Sequence, residues 1–221
     1  MNNVNIDIFS DVVCPWCYIG KRNLEKALKI IKNNRDDLNI SVNWRAFQLN
    51  PTLPMGGVSR QEYTSSKFGG RENAKAIYDR VRIAAEQVGL TLQFDDITVQ
   101  PNSLKIHELI YASKETALTD DLIEALFKAF FIDGKDLSKK ENIRQIAREV
   151  GMSDEVIDAA VGNDNYAGQV SEDLESQRLG IRGVPFYVLD NKIGLSGAQP
   201  PEIIAKTILD TLPTTGSSAN G

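Results

Sequence analysis

Val4, Ile6 and Ile8 alternate with Asn5 and Asp7 near the start of the chain. A period of two predicts a half-buried strand. Leu24, Ala27, Leu28 and Ile31 then recur at helical spacing among Lys21, Arg22, Lys26, Lys29 and Lys32. The basic residues toward its end suit the negative pole of a helix dipole. Alternation returns at Ile40, Val42, Trp44 and Ala46. Residues 4–48 therefore read as strand, helix, strand, a βαβ unit.

Residues 50–57, Asn-Pro-Thr-Leu-Pro-Met-Gly-Gly, are rich in breakers and predict a loop. From there to about residue 180 the periodicity is helical. Ile77, Val81, Ala84 and Val88 mark one helix, closed by Gly89. Leu104, His107 and Tyr111 mark another, opening near Asn102 or Ser103. Leu122, Ala125, Leu126, Ala129 and Phe130 mark a third after Thr119. Ser138 and Glu141 have capping-box spacing before Ile143, Ile146, Ala147 and Val150, with a stop at Gly151. A short helix is expected after Ser153, and another over about 166–179 ending at Gly180.

Strand signals reappear at Phe186–Leu189 and Ile193–Leu195, separated by Asp190-Asn191-Lys192. That pattern predicts a β-hairpin. Pro200-Pro201 opens a last helix carrying Ile203, Ile204, Ile208 and Leu209. Residues 213–221 have the composition of a disordered tail. There is no internal repeat. The expectation is an α/β protein in which residues 1–50 and 166–212 form one discontinuous unit. A large all-helical insertion, 51–165, separates its βαβ and ββα parts.

The 221 residues are 42% hydrophobic and 25% charged, with a formal net charge of −5. This is globular composition, with enough chain for a substantial core. Mild acidity argues against a nucleic-acid binder. No run approaches the roughly 18 to 20 apolar residues of a membrane span. Residues 1–11 lack the basic-then-apolar pattern of a secretory signal, so a cytoplasmic location is expected.

Two cysteines, Cys14 and Cys17, and one histidine, His107, restrict the chemistry further. A closed zinc site needs about four ligands, so none is expected within one chain; a zinc shared between two chains stays open. Two thiols at this spacing can close a tight disulfide. Lying between a strand and a helix, Cys14 is expected at a helix N-terminus. Free N–H groups and the dipole there favour the thiolate. Cys14 is thus the expected exposed attacking sulfur, and Cys17, one turn further in, the buried resolving one. Pro15 suits the first helical turn. Asp11 is read as a solvated strand-end residue or a cap of the following turn; proton relay to Cys17 is the alternative. Pro185 stands where a strand can start, and sequence alone does not make its peptide bond cis.

Taken together, Cys14-Pro15-Trp16-Cys17-Tyr18-Ile19-Gly20-Lys21, Leu49-Asn50-Pro51, Pro101-Asn102-Ser103 with His107, Gly183-Val184-Pro185-Phe186 and Ser196-Gly197-Ala198-Gln199 carry a resemblance over residues 4–210. The chain resembles the DsbA-like branch of the thioredoxin superfamily, and within it the FrnE-like subgroup. The resemblance implies a thioredoxin fold with the helical block as a lid over the dithiol. It implies a cis-Pro loop at Val184-Pro185 beside Cys14, with the Val184 backbone pairing with an extended peptide or glutathione. Substrate binding is expected from Pro15, Trp16, Val184 and Pro185, with Trp16 setting the dipeptide that tunes redox potential. Asp11 and His107 are candidate modulators. His107, beside Leu104 and Tyr111, is read first as a core or lid residue. Residues 125–131 are read as helical core. Trp44 and Phe47 suit either a pocket floor or strand packing.

The activity implied is thiol-disulfide oxidoreduction, with no bound cofactor and with glutathione or another low-molecular-weight thiol as candidate co-substrate. Partners would be a disulfide- or dithiol-containing protein or a small-molecule thiol, not nucleic acid or membrane, acting on a monomer or homodimer. A neighbouring branch, the 2-hydroxychromene-2-carboxylate isomerases and kappa-class glutathione transferases, suggests the alternative of glutathione-dependent isomerisation or transfer on an aromatic small molecule. That branch uses Ser where this chain has Cys14, and a Ser-Asp pair near where it reads Ser196-Gly197-Ala198-Gln199. A third reading is a redox-switched binding protein. The sequence leaves the direction of redox chemistry open.

Overall fold

A computed structural model describes residues 2–162, 172 and 175–212. Strand β1, Asn2–Ser10, occupies an inner position in a four-stranded sheet of order β2-β1-β5-β6. Helix α1, Pro15–Asn34, crosses over to β2, Leu38–Ala46, which runs parallel to β1 with Val4 opposite Ile40 and Ile8 opposite Trp44. Parallel pairing requires such a crossover, and a helix supplies it. Strand β5, Phe186–Leu189, pairs antiparallel with β1, placing Tyr187 opposite Ile8. Strand β6, Ile193–Ser196, closes the edge. Asp190 and Asn191 both have positive φ in the connecting turn, where Asn and Asp are the side chains that tolerate it best. The final helix α8, Pro201–Leu209, packs on α1.

The insertion comprises α2 (Arg60–Phe68), α3 (Arg71–Glu86), α4 (Leu104–Ser113), α5 (Thr119–Phe131), α6 (Lys140–Glu149) and α7 (Asp154–Val161). It also holds a short antiparallel ladder, β3 (Val58–Ser59) with β4 (Val99–Gln100). Two residues are too few to show a period, so neither strand is readable in the sequence. Helix α2 also escapes periodicity because Thr64 alone is buried along it. It starts where Ser59 accepts from the Glu62 N–H, and ends at Gly69 in the left-handed region.

The expected capping box at Ser138 does not form. Ser138 donates to Asp136 Oδ1 instead, and α6 begins two residues later with Lys139 as its cap. The Ser153 cap of α7 is present. Of the helix expected over 166–179, residues 172 and 175–178 are helical; 163–171, 173–174 and the expected tail 213–221 lie outside the described residues.

The insertion is locked to α1 by aromatic packing. Tyr18 stacks on Phe127 with ring centroids 4.8 Å apart and meets Phe131 at 6.4 Å. Leu126, Phe127, Ala129, Phe130 and Phe131 are thus core, as read, with Lys128 on the exposed face. Buried Lys21 adds a polar tie, with Glu25, Asp120 and Glu124 all within ion-pair distance. Trp44 packs in the core, its indole N–H 3.3 Å from Asp120 Oδ1. Among the described residues no helix is long and apolar enough to cross a membrane.

Candidate active site

The turn between β1 and α1 places both cysteines. Ser10 ends β1, and Cys14 is the N-cap of α1 with Pro15 in the first helical turn. Proline is tolerated there because its absent N–H would have no intrahelical partner. The Cys14 N–H donates to the Asp11 carbonyl at 2.9 Å, closing the turn, and the Cys14 carbonyl accepts from Cys17 N–H at 3.0 Å.

Cys14 differs from the expectation in one respect. It is only 5% exposed, not an open sulfur. Its thiol turns toward the loop before β5, with Sγ 3.5 Å from the Val184 carbonyl oxygen. The Val184–Pro185 peptide bond is cis. Trp16, two residues after Cys14 in the first turn of α1, is 41% exposed. The Cys14 sulfur thus meets Val184, from a segment 170 residues away, next to the cis Val184–Pro185 bond.

Cys17 is buried, one turn further in. Burial pushes its thiol pKa well up, and the adjacent Cys14 sulfur adds to this, while the Asp11 backbone N–H and the Ser10 hydroxyl act in the opposite sense. A neutral, buried thiol suits a group that reacts second.

Asp11 is fully buried, which corrects the solvated reading and bears out the capping one. Its Oδ1 accepts from Val13 N–H at 3.3 Å; its Oδ2 accepts from Leu49 N–H at 2.8 Å and the Ser103 hydroxyl at 3.0 Å. One carboxylate thereby joins the cysteine turn to the Leu49-Asn50-Pro51 loop and to the start of α4. His107, on α4, is buried with Nε2 3.6 Å from Asp11 Oδ1. The two candidate modulators thus meet each other behind the dithiol.

Three neighbours were not predicted as part of the site. Ser10 lies at the end of a strand and reads as an ordinary polar residue. Ser103 reads as a helix start, yet its hydroxyl serves Asp11, while Asn102 Oδ1 accepts from Leu104 N–H at 2.9 Å. Tyr187 is fully buried on β5, and burial followed by the two nearby sulfurs pushes its phenol pKa up. The Ser196–Gln199 segment is held from α1 by Asn23, whose amide donates to the Gln199 carbonyl at 3.0 Å.

The profile of the DSBA-like thioredoxin domain family matches residues 5–209. The uncharacterized protein YwbO of Bacillus subtilis is 23% identical over 209 residues, covering 94% of this chain and 96% of YwbO. The crystal structure of a probable DsbA oxidoreductase from Streptomyces coelicolor superposes with a TM-score of 0.86 at 28% identity, covering 99% of this chain and 95% of that one. A 2-hydroxychromene-2-carboxylate isomerase superposes with a TM-score of 0.68 at 12% identity, covering 94% and 95% of the two chains, which shows a shared fold alone.

Proposed function

We propose that this chain, which belongs to the DSBA-like thioredoxin domain family, is a thiol-disulfide oxidoreductase working through Cys14 and Cys17. The observation that carries the reading is the placement of Cys14 at the N-terminus of α1, against the Val184 carbonyl, with Cys17 buried one turn behind it. A helix N-terminus stabilises a thiolate through its free N–H groups and dipole. In the forward direction the Cys14 thiolate attacks a substrate disulfide, forming a mixed disulfide and releasing one substrate sulfur as thiolate. Cys17 then attacks Cys14 Sγ, closing the Cys14–Cys17 bond and releasing the second substrate sulfur. Reversal oxidises a dithiol.

The finer assignment is to the FrnE-like subgroup, acting in the cytoplasm as monomer or homodimer. Its substrates would be disulfide- or dithiol-bearing proteins, or a small thiol such as glutathione. Glutathione-dependent isomerisation is less well supported, because Cys14 stands where that branch has serine and no aspartate occurs in Ser196-Gly197-Ala198-Gln199.

The test is to incubate a Cys17→Ser variant with oxidised glutathione and a disulfide-containing protein, then locate adducts by mass spectrometry. A mixed disulfide on Cys14 is the expected result. No adduct with either substrate, or a Cys14→Ser variant that retains full catalytic activity, would overturn the reading. The reduction potential of the pair, titrated against a glutathione buffer, then decides the direction: near −270 mV for a thioredoxin-type reductant, near −120 mV for a strong oxidant.

A further inference from the structure

Cys14 and Cys17 are held in different ways. Cys17 lies inside α1, where helical hydrogen bonding fixes its backbone, and it is 1% exposed. Cys14 is the N-cap, with an extended backbone of φ −97° and ψ 112°, and its side chain makes no capping hydrogen bond. The helix therefore does not fix where Cys14 points. The turn before it does.

Asp11 builds that turn with two hydrogen bonds. Its carbonyl accepts from Cys14 N–H at 2.9 Å, and its side-chain Oδ1 accepts from Val13 N–H at 3.3 Å. Oδ2 then pins the turn from outside, accepting from Leu49 N–H at 2.8 Å and from the Ser103 hydroxyl at 3.0 Å. Leu49 follows β2 and Ser103 precedes α4, so the two pins come from separate segments. On α4, His107 Nε2 stands 3.6 Å from Oδ1. Asp11 and Ser103 are both buried, so water does not compete for these bonds. Val12 and Val13 are buried as well, but apolar contact is non-directional and does not orient the chain. The directional restraints on the turn thus converge on one side chain.

Orientation matters most in the second half of the redox cycle. There Cys17 must approach the Cys14 sulfur along the line of the bond that breaks, and misplacing a reacting group by about 1 Å can cost about a hundredfold. We infer that Asp11 is a positioning residue for this resolving step: its carboxylate fixes the 11–14 turn, and through it the line along which Cys17 meets the Cys14 sulfur. The inference rests on the redox reading above. In the step, Cys17 Sγ forms its bond to Cys14 Sγ while the bond between Cys14 and the substrate sulfur breaks. The electron pair of the broken bond leaves on the substrate sulfur. Cys17 gives up a proton to solvent and the leaving sulfur takes one up. One mixed disulfide and one thiol become one intramolecular disulfide and one thiol. Asp11 exchanges no proton and acts only through the turn.

The experiment separates the two steps. Reduced protein is mixed with excess oxidised glutathione and quenched samples are followed by mass spectrometry. Appearance of the Cys14–glutathione adduct reads attack, and its loss reads resolution. Asp11→Asn is expected to slow resolution about tenfold without slowing adduct formation. It should also weaken the Cys14–Cys17 disulfide about tenfold in equilibrium with glutathione, about 30 mV toward the oxidising side. Loss of global stability alone would not move that equilibrium in a folded variant. Ser103→Ala keeps the carboxylate and removes one pin, so it should slow resolution about threefold, the share of one hydrogen bond. Resolution and equilibrium within about twofold of wild type in folded Asp11→Asn, or equal slowing of attack and resolution, overturn the assignment. Unchanged resolution in Ser103→Ala also overturns it, because Asp11 would then act through charge and not through the turn. Thermal unfolding identifies a variant that has lost its fold, and Ser103→Ala, the smaller change, carries the test if Asp11→Asn has. Each of these outcomes leaves the redox reading intact; a wild-type protein that forms no adduct defeats that reading instead.

Discussion

Gly20 and Tyr187 divide one space between them: a Cβ placed on Gly20 would lie 2.6 Å from the Tyr187 hydroxyl oxygen and 3.0 Å from Pro185 Cγ. A glycine inside a helix normally costs about 1 kcal/mol relative to alanine. Here it lets α1 lie against β5 and the loop that carries Val184.

Gly20→Ala is therefore expected to destabilise the protein despite its better helix propensity. Overpacking costs typically 1–3 kcal/mol, so the net loss should be about 1–2 kcal/mol. Urea unfolding measures it. Tyr187→Phe alone should be near neutral, since the Tyr187 hydroxyl has no hydrogen-bond partner among the described residues. The double variant should recover part of the loss; a stabilising Gly20→Ala would show that the contact does not constrain the helix.

Alkaline pH should weaken the reduced protein. The folded state raises the Cys17 pKa above its ordinary value of 9.0, chiefly by burial. The folded chain thus holds this proton to higher pH than the unfolded chain. The resulting stability is fully present below about pH 9 and declines as pH rises further. Tyr18 and Tyr187, also raised by burial, act in the same direction from about pH 10. Urea midpoints of reduced protein at pH 7.5 and 9.5 should fall with pH, and the fall should be smaller in Cys17→Ala. An equal fall in both proteins would remove Cys17 as the cause.

Asp11→Ala leaves three donors without their acceptor: Val13 N–H, Leu49 N–H and the Ser103 hydroxyl. At about 1–3 kcal/mol for an unsatisfied buried group, a loss of at least 3 kcal/mol is expected. Ser103→Ala removes one of these bonds and should cost about 1 kcal/mol. Chemical denaturation that ranks the two the other way would contradict the role given to Asp11.

Lys21→Met tests the polar tie between α1 and α5. The Lys21 side chain is 3% exposed, whereas Glu25, Asp120 and Glu124 are 38%, 65% and 31% exposed. Breaking a fully buried pair costs about 3–5 kcal/mol. Solvent at the carboxylates screens this one, so about 1–2 kcal/mol is expected. Hydrogen exchange should quicken in α5, and unchanged exchange there would show that aromatic packing alone holds the helix.

Much of this protein was legible in one dimension. The period of two at Val4–Ile8 and Ile40–Ala46, the helical period between them and the hairpin at 186–196 report which face of each element is buried, and burial is what sheet and helix packing select. Cys14 and Cys17 were legible because their chemistry depends on local spacing and on a strand-to-helix junction. Other features depend on distance in space. Residues 58–59 and 99–100 become strands only by pairing with each other. Cys14 lost its expected exposure because Val184, 170 residues away, comes within 3.5 Å. Asp11 reads as a surface carboxylate until Leu49 and Ser103 close on it. The pocket lined by Ser10, Arg45 and His107 belongs to no segment: its walls come from β1, the turn after it, β2, α4 and α5, and only their packing brings Ser10 Oγ, Arg45 Nε and His107 Nε2, unpaired among the described residues, to one place.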